Sequence, residues 1–441
     1  MGIRFRLFPK PPAAHPDWQP ETVQVSGVPG TIGPGPSDSR MYLLNPIGKR
    51  QPYGVANGPY GTPYLSFPPW RGAHERPVLP GPGGHFDHIP TGTPEFAEAH
   101  VFGTICFVLD IWENYLGRPI AWHFAADFPR LEILLLPSLD NAHVGYGFME
   151  VGAHHRADGS LVPYATNFDV LAHELGHLII YGTLGVPSRD GEAGEYFGFQ
   201  ESAADLTALI AGLHFRSLQR QILEETRGNL YTFNELNRFA ELGPSEQIRL
   251  ASNSVKLSAF AAGWSDEHAL SQPLTGAIFD VFVDIFQEML VEGGLILRSA
   301  ADLARLVENS PETAAQIQPV FDVAYAGNPG GFLDVLLAAR DYLGFALAAT
   351  WERLTADLFS YATVGEILLD VDNVLSGGLY RRAIVESFAW REIGAVAIGP
   401  RLAKPGKHSH THSARTIVPQ MHRHLPKMNF HEKLLVARGL A

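Results

Sequence analysis

The stretch TNFDVLAHELGHLIIYG, residues 166–182, is apolar and helix-like but carries ionisable side chains at its centre. Residues four apart in an α-helix lie on nearly the same face, so His173 and His177 can point two imidazoles at one ion. Glu174 stands one position further round and lies beside such an ion without having to ligate it. The pattern HExxH on a helix is typical of zinc hydrolases. The alternative interpretation is a partly exposed helix whose histidines hydrogen-bond to neighbouring groups.

A second stretch, FGFQESAADLTALIAG, offers the ligand that this pattern lacks. Glu201 and Asp205 are four residues apart and share one helical face. Catalytic zinc commonly binds two histidines and one glutamate, and a nearby carboxylate then accepts the remaining N–H of a ligand histidine. Cys106 is the single cysteine, so cysteine-based zinc sites are excluded and a transition metal must use His, Asp or Glu. We therefore expect Glu201 as third ligand and Asp205 as a partner of a ligand histidine.

Composition limits the remaining classes of function. The chain has 441 residues, of which 46% are apolar and 18% charged, as in globular proteins. Its formal net charge of −13 argues against a general nucleic-acid binder. No uninterrupted apolar window is long enough for a transmembrane helix, and Arg4, Arg6 and Pro9 interrupt any signal-peptide core. We expect a cytoplasmic protein without a membrane partner, with export by another route left open.

The chain divides by composition into four parts. Residues 1–90 hold 18 of the 33 prolines, which predicts an extended, irregular arm, or alternatively plain disorder. Residues 91–265 mix helix and strand patterns, residues 266–400 are almost wholly helical, and residues 401–441 form a basic, histidine-rich tail. Aromatic side chains in the arm favour packing along a folded body; they are Tyr60, Tyr64, Phe67, Trp70 and Phe86. The tail histidines predict either loose metal binding or a flexible solvated tail; they are His408, His410, His412, His422 and His424.

Within the second part, the spacing of apolar residues and turn formers predicts individual elements. A helix is expected from Pro94 to Gly117, and strands over RLEILLLP and AHVGYGFMEVG. Two further helices are expected over 167–183 and 200–215, joined by the glycine-rich loop GTLGVPSRDGEAGEYFG.

The motif HELGH followed by QESAAD resembles the gluzincins, and specifically the thermolysin-like metallopeptidases. EAHVFGTICFVLDIWENYLGR is similar to that family's long amino-terminal helix, and LDNAHVGYGFMEVG to its substrate-binding edge strand. The resemblance spans about residues 94–396 and leaves out the arm and the tail. It implies a two-lobed α+β fold with the cleft between a mixed amino-terminal lobe and a helical carboxy-terminal lobe. It also implies a zinc endopeptidase acting on peptides or proteins.

The resemblance assigns roles around one zinc ion. His173, His177 and Glu201 would be its ligands, and Glu174 would be the general base on a zinc-activated water. SDEHALSQPLTGAIFDVF is similar to the stretch with the catalytic histidine, which gives that role to His268.

Further roles follow from the same resemblance. Asp266 is the candidate for orienting His268. Asn141 and Ala142 stand where the family has its Asn-Ala pair, so a peptide would add as a strand there. Arg238 is the candidate for contacting the substrate backbone, with Arg249 as an alternative.

The chain departs from the family at three places. Tyr181 and Tyr196 lie in or beside the loop between the zinc helices, but neither is at the distance of the family's transition-state tyrosine. Asp169 matches a calcium ligand, which leaves calcium open as a second cofactor, but Gly212 stands where its acidic partner would be, so the paired calcium site is not expected. Two alternatives stay open: an aminopeptidase of the same clan, and a zinc-stabilised binding or scaffold protein whose cleft is filled by residues 1–90.

Overall fold

The computed structural model describes residues 2–57, 63–188, 191, 193–243, 246–306 and 311–402. Within these ranges it describes the backbone alone at 55–57, 63–64, 239–243, 246–249 and 311–314. Tyr60 and all five tail histidines named above lie outside the described residues, as does the side chain of Arg249.

The described strands are short and lie in the first 250 residues. They are β1 (Ile3–Leu7), β2 (Glu21–Val25), β3 (Met41–Leu44), β4 (Gly54–Asn57), β5 (Pro63–Ser66), β6 (Leu131–Leu135), β7 (Ala142–Gly145), β8 (Phe148–Val151), β9 (Ala153–His155), β10 (Leu161–Pro163), β11 (Arg238–Gly243) and β12 (Glu246–Leu250). The helices are α1 (Pro94–Leu116), α2 (Phe168–Thr183), α3 (Gly194–Gly212), α4 (Arg216–Thr226), α5 (Glu267–Glu292), α6 (Arg298–Ala304), α7 (Pro311–Gly327), α8 (Pro329–Arg353), α9 (Tyr361–Ser376) and α10 (Arg381–Trp390).

The main sheet has the strand order β3-β6-β8-β7. β3 and β8 run parallel to β6, and β7 is antiparallel to β8. β7 lies at the edge of the sheet and packs against α2. No described strand pairs with its outer side, and all four of its residues are buried.

Helices α2 and α3 form the most closely packed helix pair in the described chain. Asn167 caps α2, with its side-chain oxygen accepting from the Val170 N–H at 3.2 Å. Gly176 lets the backbone of α3 approach, because a Cβ there would lie 2.7 Å from the Ala204 Cα. This packing sets the distance between the two segments that carry the candidate ligands.

Helix α3 begins at Gly194, not at residue 200 as the glycine-rich loop predicts, and it ends at Gly212, not at residue 215. Glycine in a helix costs about 1 kcal/mol relative to alanine. Tertiary contacts outweigh this cost here, because a Cβ at Gly194 would lie 2.9 Å from Trp264 Nε1 and one at Gly198 would meet Leu270 at 2.9 Å. These two glycines are therefore packing positions and not loop signals.

The first 90 residues contain five short strands where the sequence predicts an irregular arm. Phe5 of β1 is fully buried, stacks on Phe86 at a centroid distance of 4.9 Å and lies against Phe102 of α1. β3 joins the main sheet at the edge opposite to β7. This segment therefore contributes to the core. None of its described strands pairs with β7.

The predicted α+β class is confirmed. Strands and three long helices occupy the chain up to residue 250, and from Glu267 to Trp390 the described elements are all helices. None of the described helices combines the length and the apolar character needed to cross a bilayer.

Candidate metal centre

The side chains of His173, His177 and Glu201 meet between α2 and α3 and are all buried. One ligand atom from each lies within 4.8 Å of the other two. The His173 and His177 Nε2 atoms are 3.1 Å apart, and Glu201 oxygens lie 3.3 Å from the first and 3.8 Å from the second. This group could therefore hold a metal ion, as the spacing of the three residues predicts.

The distances can be compared with those that zinc requires. Tetrahedral zinc with Zn–N bonds of about 2.0–2.1 Å holds its ligand atoms ~3.3 Å apart. The three observed separations between ligand atoms are 3.1, 3.3 and 3.8 Å, close to that value. Two imidazoles and one carboxylate also leave a fourth position for a water molecule or a substrate. The residues present fit a catalytic zinc ion.

Both histidines are oriented by partners on α3. His173 Nδ1 lies 2.9 Å from Asp205 Oδ1, the contact expected from the sequence. A carboxylate there favours the proton on Nδ1, which leaves the Nε2 lone pair for a metal. His177 Nδ1 lies 3.4 Å from Gln200 Oε1, which acts in the same sense.

Gln200 is itself held by Tyr196, a contact that the sequence did not suggest. The Gln200 amide donates to the Tyr196 hydroxyl at 2.7 Å, and that hydroxyl donates to the Gly185 carbonyl at 2.7 Å. Tyr196 is buried, and its hydroxyl fixes the loop between the two helices to the ligand helix. Tyr181 is also buried and packs its ring 4.9 Å from that of His123.

Glu174 is completely buried on α2 beside His173. Tyr164 lies near it, in the 3-10 turn before α2: burial, followed by the negative charges of Asp140 and Glu174, raises the pKa of Tyr164. Sequence reasoning missed this residue, because nothing in LVPYATN distinguishes it from an ordinary aromatic residue in a turn.

His268 enters from the first turn of α5. Its Nε2 lies 3.0 Å from Glu201 Oε2, and its Nδ1 lies 3.1 Å from Asp266 Oδ1. Asp266 is the N-cap of α5 and also accepts from the His268 N–H at 3.1 Å. Burial by itself would raise the pKa of Glu201, but His268, His177 and His173 outweigh it and hold that pKa well below its usual value.

The candidate substrate-binding residues occupy two separate segments. Ala142 is the first residue of edge strand β7, and the Asn141 carbonyl accepts from the Gly152 N–H at 2.9 Å. Arg238 is the first residue of β11, which packs against α2, and its carbonyl lies 3.1 Å from Lys10 Nζ. Contacts with a substrate remain a prediction for all three.

The calcium ligand suggested by the sequence has a different partner. Asp169 Oδ2 lies 3.5 Å from the ammonium group of Lys10, and both side chains are buried. A divalent cation does not fit beside a buried ammonium, because the two positive charges would repel each other. The residues around Asp169 therefore do not fit calcium.

Comparison with known proteins leaves the family of this chain open. No family model matches the sequence. No curated protein matches it either. Among solved structures, the chain is similar to the precursor of protealysin, described as a metalloproteinase from Serratia proteamaculans. That similarity covers 85% of this chain and 90% of that chain, at 12% sequence identity and a TM-score of 0.47.

Proposed function

We propose that this protein is a zinc-dependent endopeptidase. The observation that carries the proposal is the buried group of His173, His177 and Glu201. Asp205 contacts the His173 ring, and His268 contacts the Glu201 carboxylate. A structural zinc site is normally closed by four protein ligands, whereas three ligands leave one position open for chemistry. The resemblance of HELGH and QESAAD to the thermolysin-like peptidases points to the same reaction.

When bound, zinc would polarise the scissile carbonyl and make an attacking water more acidic. In this proposal Glu174 accepts a proton from the attacking water and passes it to the leaving amine. His268 donates a hydrogen bond from Nε2 to the oxygen that becomes negative, with Asp266 holding its ring.

The substrate would be an extended peptide. In this proposal the peptide adds to the outer side of β7, with which none of the described strands pairs, and β7 packs against α2, the helix that carries Glu174. A peptide that adds as a fifth strand gains main-chain hydrogen bonds at Asn141 and Ala142 without requiring a free terminus. This arrangement favours cleavage within a chain over removal of its first residue.

The proposal is tested with Glu174→Gln. The substitution removes the base and keeps the ligands, so zinc content should stay near one per chain while casein hydrolysis falls by at least about a thousandfold. Glu98→Gln is the matched control, because Glu98 is also a buried helical glutamate, only 4% exposed, and its carboxylate accepts a hydrogen bond from Asn45 at 3.3 Å. His177→Ala should lose both zinc and activity. Elemental analysis and hydrolysis rates are measured on the same preparations.

Other outcomes identify the alternatives. Wild-type turnover by Glu174→Gln would remove Glu174 from the mechanism. Cleavage of free peptides, but not of peptides with an acetylated amino terminus, would indicate an aminopeptidase. Zinc bound with no hydrolysis of any peptide, and stability that depends on the zinc, would indicate a scaffold.

A further inference from the structure

Lys10 is a buried lysine, 3% exposed, at the point where three parts of the chain meet. Its ammonium lies 3.2 Å from the Glu235 carbonyl oxygen, 3.1 Å from the Arg238 carbonyl oxygen and 3.5 Å from Asp169 Oδ2. The Glu235 carboxylate is 4.0 Å away. The ammonium is thus surrounded by two carbonyls and two carboxylates.

This set of oxygens is typical of a hard-cation site. Calcium binds carboxylates and backbone carbonyls from flexible segments, and a buried ammonium, with its three donors, is satisfied by the same kinds of atom. Burial of a charge is costly unless it is paired and hydrogen-bonded, and here both conditions are met. Lys10 therefore holds the position that a metal ion would otherwise need to fill.

The location links this cation to the candidate metal centre. Asp169 lies in the first turn of α2, four residues before His173. Arg238 begins β11, which packs against α2. Lys10 belongs to the amino-terminal segment and follows β1, whose Ile3, Phe5 and Leu7 side chains are in the core. One ammonium thus joins the amino-terminal segment, the start of the ligand helix and the turn at 235–238.

We propose that Lys10 is a built-in cation that replaces a calcium ion at an oxygen site formed by Asp169, Glu235 and Arg238. Its role is positioning: it fixes the start of α2 relative to β11. The stability of the native chain should accordingly be independent of calcium. This proposal concerns cation binding and stability, so it stands or falls separately from peptidase activity.

The test is calcium rescue of Lys10→Ala. This substitution removes the ammonium and leaves the oxygens, so the variant should melt about 5 °C or more below the wild type in calcium-free buffer. Calcium chloride at about 10 mM should then restore most of that loss, since carbonyl and carboxylate oxygens are the ligand types that calcium binds. The wild-type Tm should not respond to calcium.

Lys49→Ala is the matched control. Lys49 is 8% exposed, and its ammonium is also paired with a buried carboxylate, 3.1 Å from Glu150, but its other contacts include one carbonyl, that of Gln51, and the rings of Tyr53 and Trp70. It should lose stability without regaining it in calcium. A calcium-dependent wild-type Tm, an unchanged Tm in Lys10→Ala, or an equal calcium response in both variants would each overturn the proposal.

A Lys10→Ala protein that fails to fold without calcium can still be tested. It is refolded from urea with and without about 10 mM calcium chloride, and folded protein is measured by far-ultraviolet circular dichroism. Recovery only with calcium supports the cation site. No recovery with calcium, while Lys10→Arg folds, overturns it.

Discussion

His268 shows how much one residue depends on its neighbours at this site. Its backbone N–H and its Nδ1 both lie 3.1 Å from the same Asp266 oxygen, so the helix cap and the ring orientation have one cause. Its Nε2 lies 3.0 Å from Glu201 Oε2. His268 itself is not one of the three residues His173, His177 and Glu201 that could hold a metal ion together. If the proposed peptidase activity holds, these contacts would keep the His268 ring in place to stabilise charge during the reaction.

We expect His268→Ala to keep zinc and to lower kcat by roughly a hundredfold, because a hydrogen bond to the developing oxyanion is lost. Zinc content and kcat are measured together, with His74→Ala, an exposed histidine, as the control. Loss of zinc from His268→Ala would instead make His268 a ligand. Unchanged turnover would assign it to packing alone.

At the scale of elements, the candidate centre depends on the approach of α2 to α3. The ligands come from both helices, and their atoms converge only if the axes stay at the present distance. Gly176 is at the contact, where a Cβ would lie 2.7 Å from the Ala204 Cα and 3.1 Å from the Thr207 Cβ. The Ala204 Cα belongs to the α3 backbone, and the Thr207 Cβ is bonded directly to it. A methyl group at position 176 must therefore move helix α3.

Gly176→Ala should therefore lower stability by about 1–3 kcal/mol, the usual range for overpacking, and weaken zinc binding. Gly212→Ala is the matched control on the same helix pair, since its Cβ would meet nothing closer than 3.6 Å. Urea unfolding and zinc competition with a chromogenic chelator measure the two effects. Equal behaviour of the two variants would show that α2 and α3 can separate without affecting the site.

At the scale of the whole molecule, the amino-terminal segment is fastened to the body through buried polar contacts as well as through its core residues. The Phe8 N–H donates to His100 Nε2 on α1 at 3.0 Å, and Lys10 contacts Asp169 on α2. Burial lowers the pKa of His100 to about 3. A neutral His100 ring is thus part of the link between the segment and α1.

This link should weaken in acid. Below pH 6.5 the unfolded chain binds a proton at His100 that the folded chain does not bind until about pH 3. The free energy of unfolding therefore falls as pH falls through this window, by about 2 kcal/mol between pH 6.5 and pH 5 from this residue alone. His100→Gln keeps an acceptor for Phe8 and cannot titrate, so its stability should depend less steeply on pH. Urea unfolding at several pH values measures both slopes, and parallel slopes would contradict the assignment.

The sequence by itself determined the features that depend on local spacing. The four-residue intervals His173–His177 and Glu201–Asp205 follow from helix geometry, and Pro94 and Gly117 mark the limits of α1 because proline and glycine act on the local backbone. The α+β class was implied by the resemblance of the motifs to the thermolysin-like peptidases, and the structure confirms it.

Only the tertiary structure decided the features that depend on contacts between distant segments. Gly194 and Gly198 favour a loop locally, but their packing against Trp264 and Leu270 makes them helical. The ammonium of Lys10 lies beside Asp169, 159 residues away in sequence, and no local pattern encodes that distance. The partner of a residue is set by the packing of the whole chain. The sequence therefore predicted the grouping of His173, His177 and Glu201 but not the contact between Lys10 and Asp169.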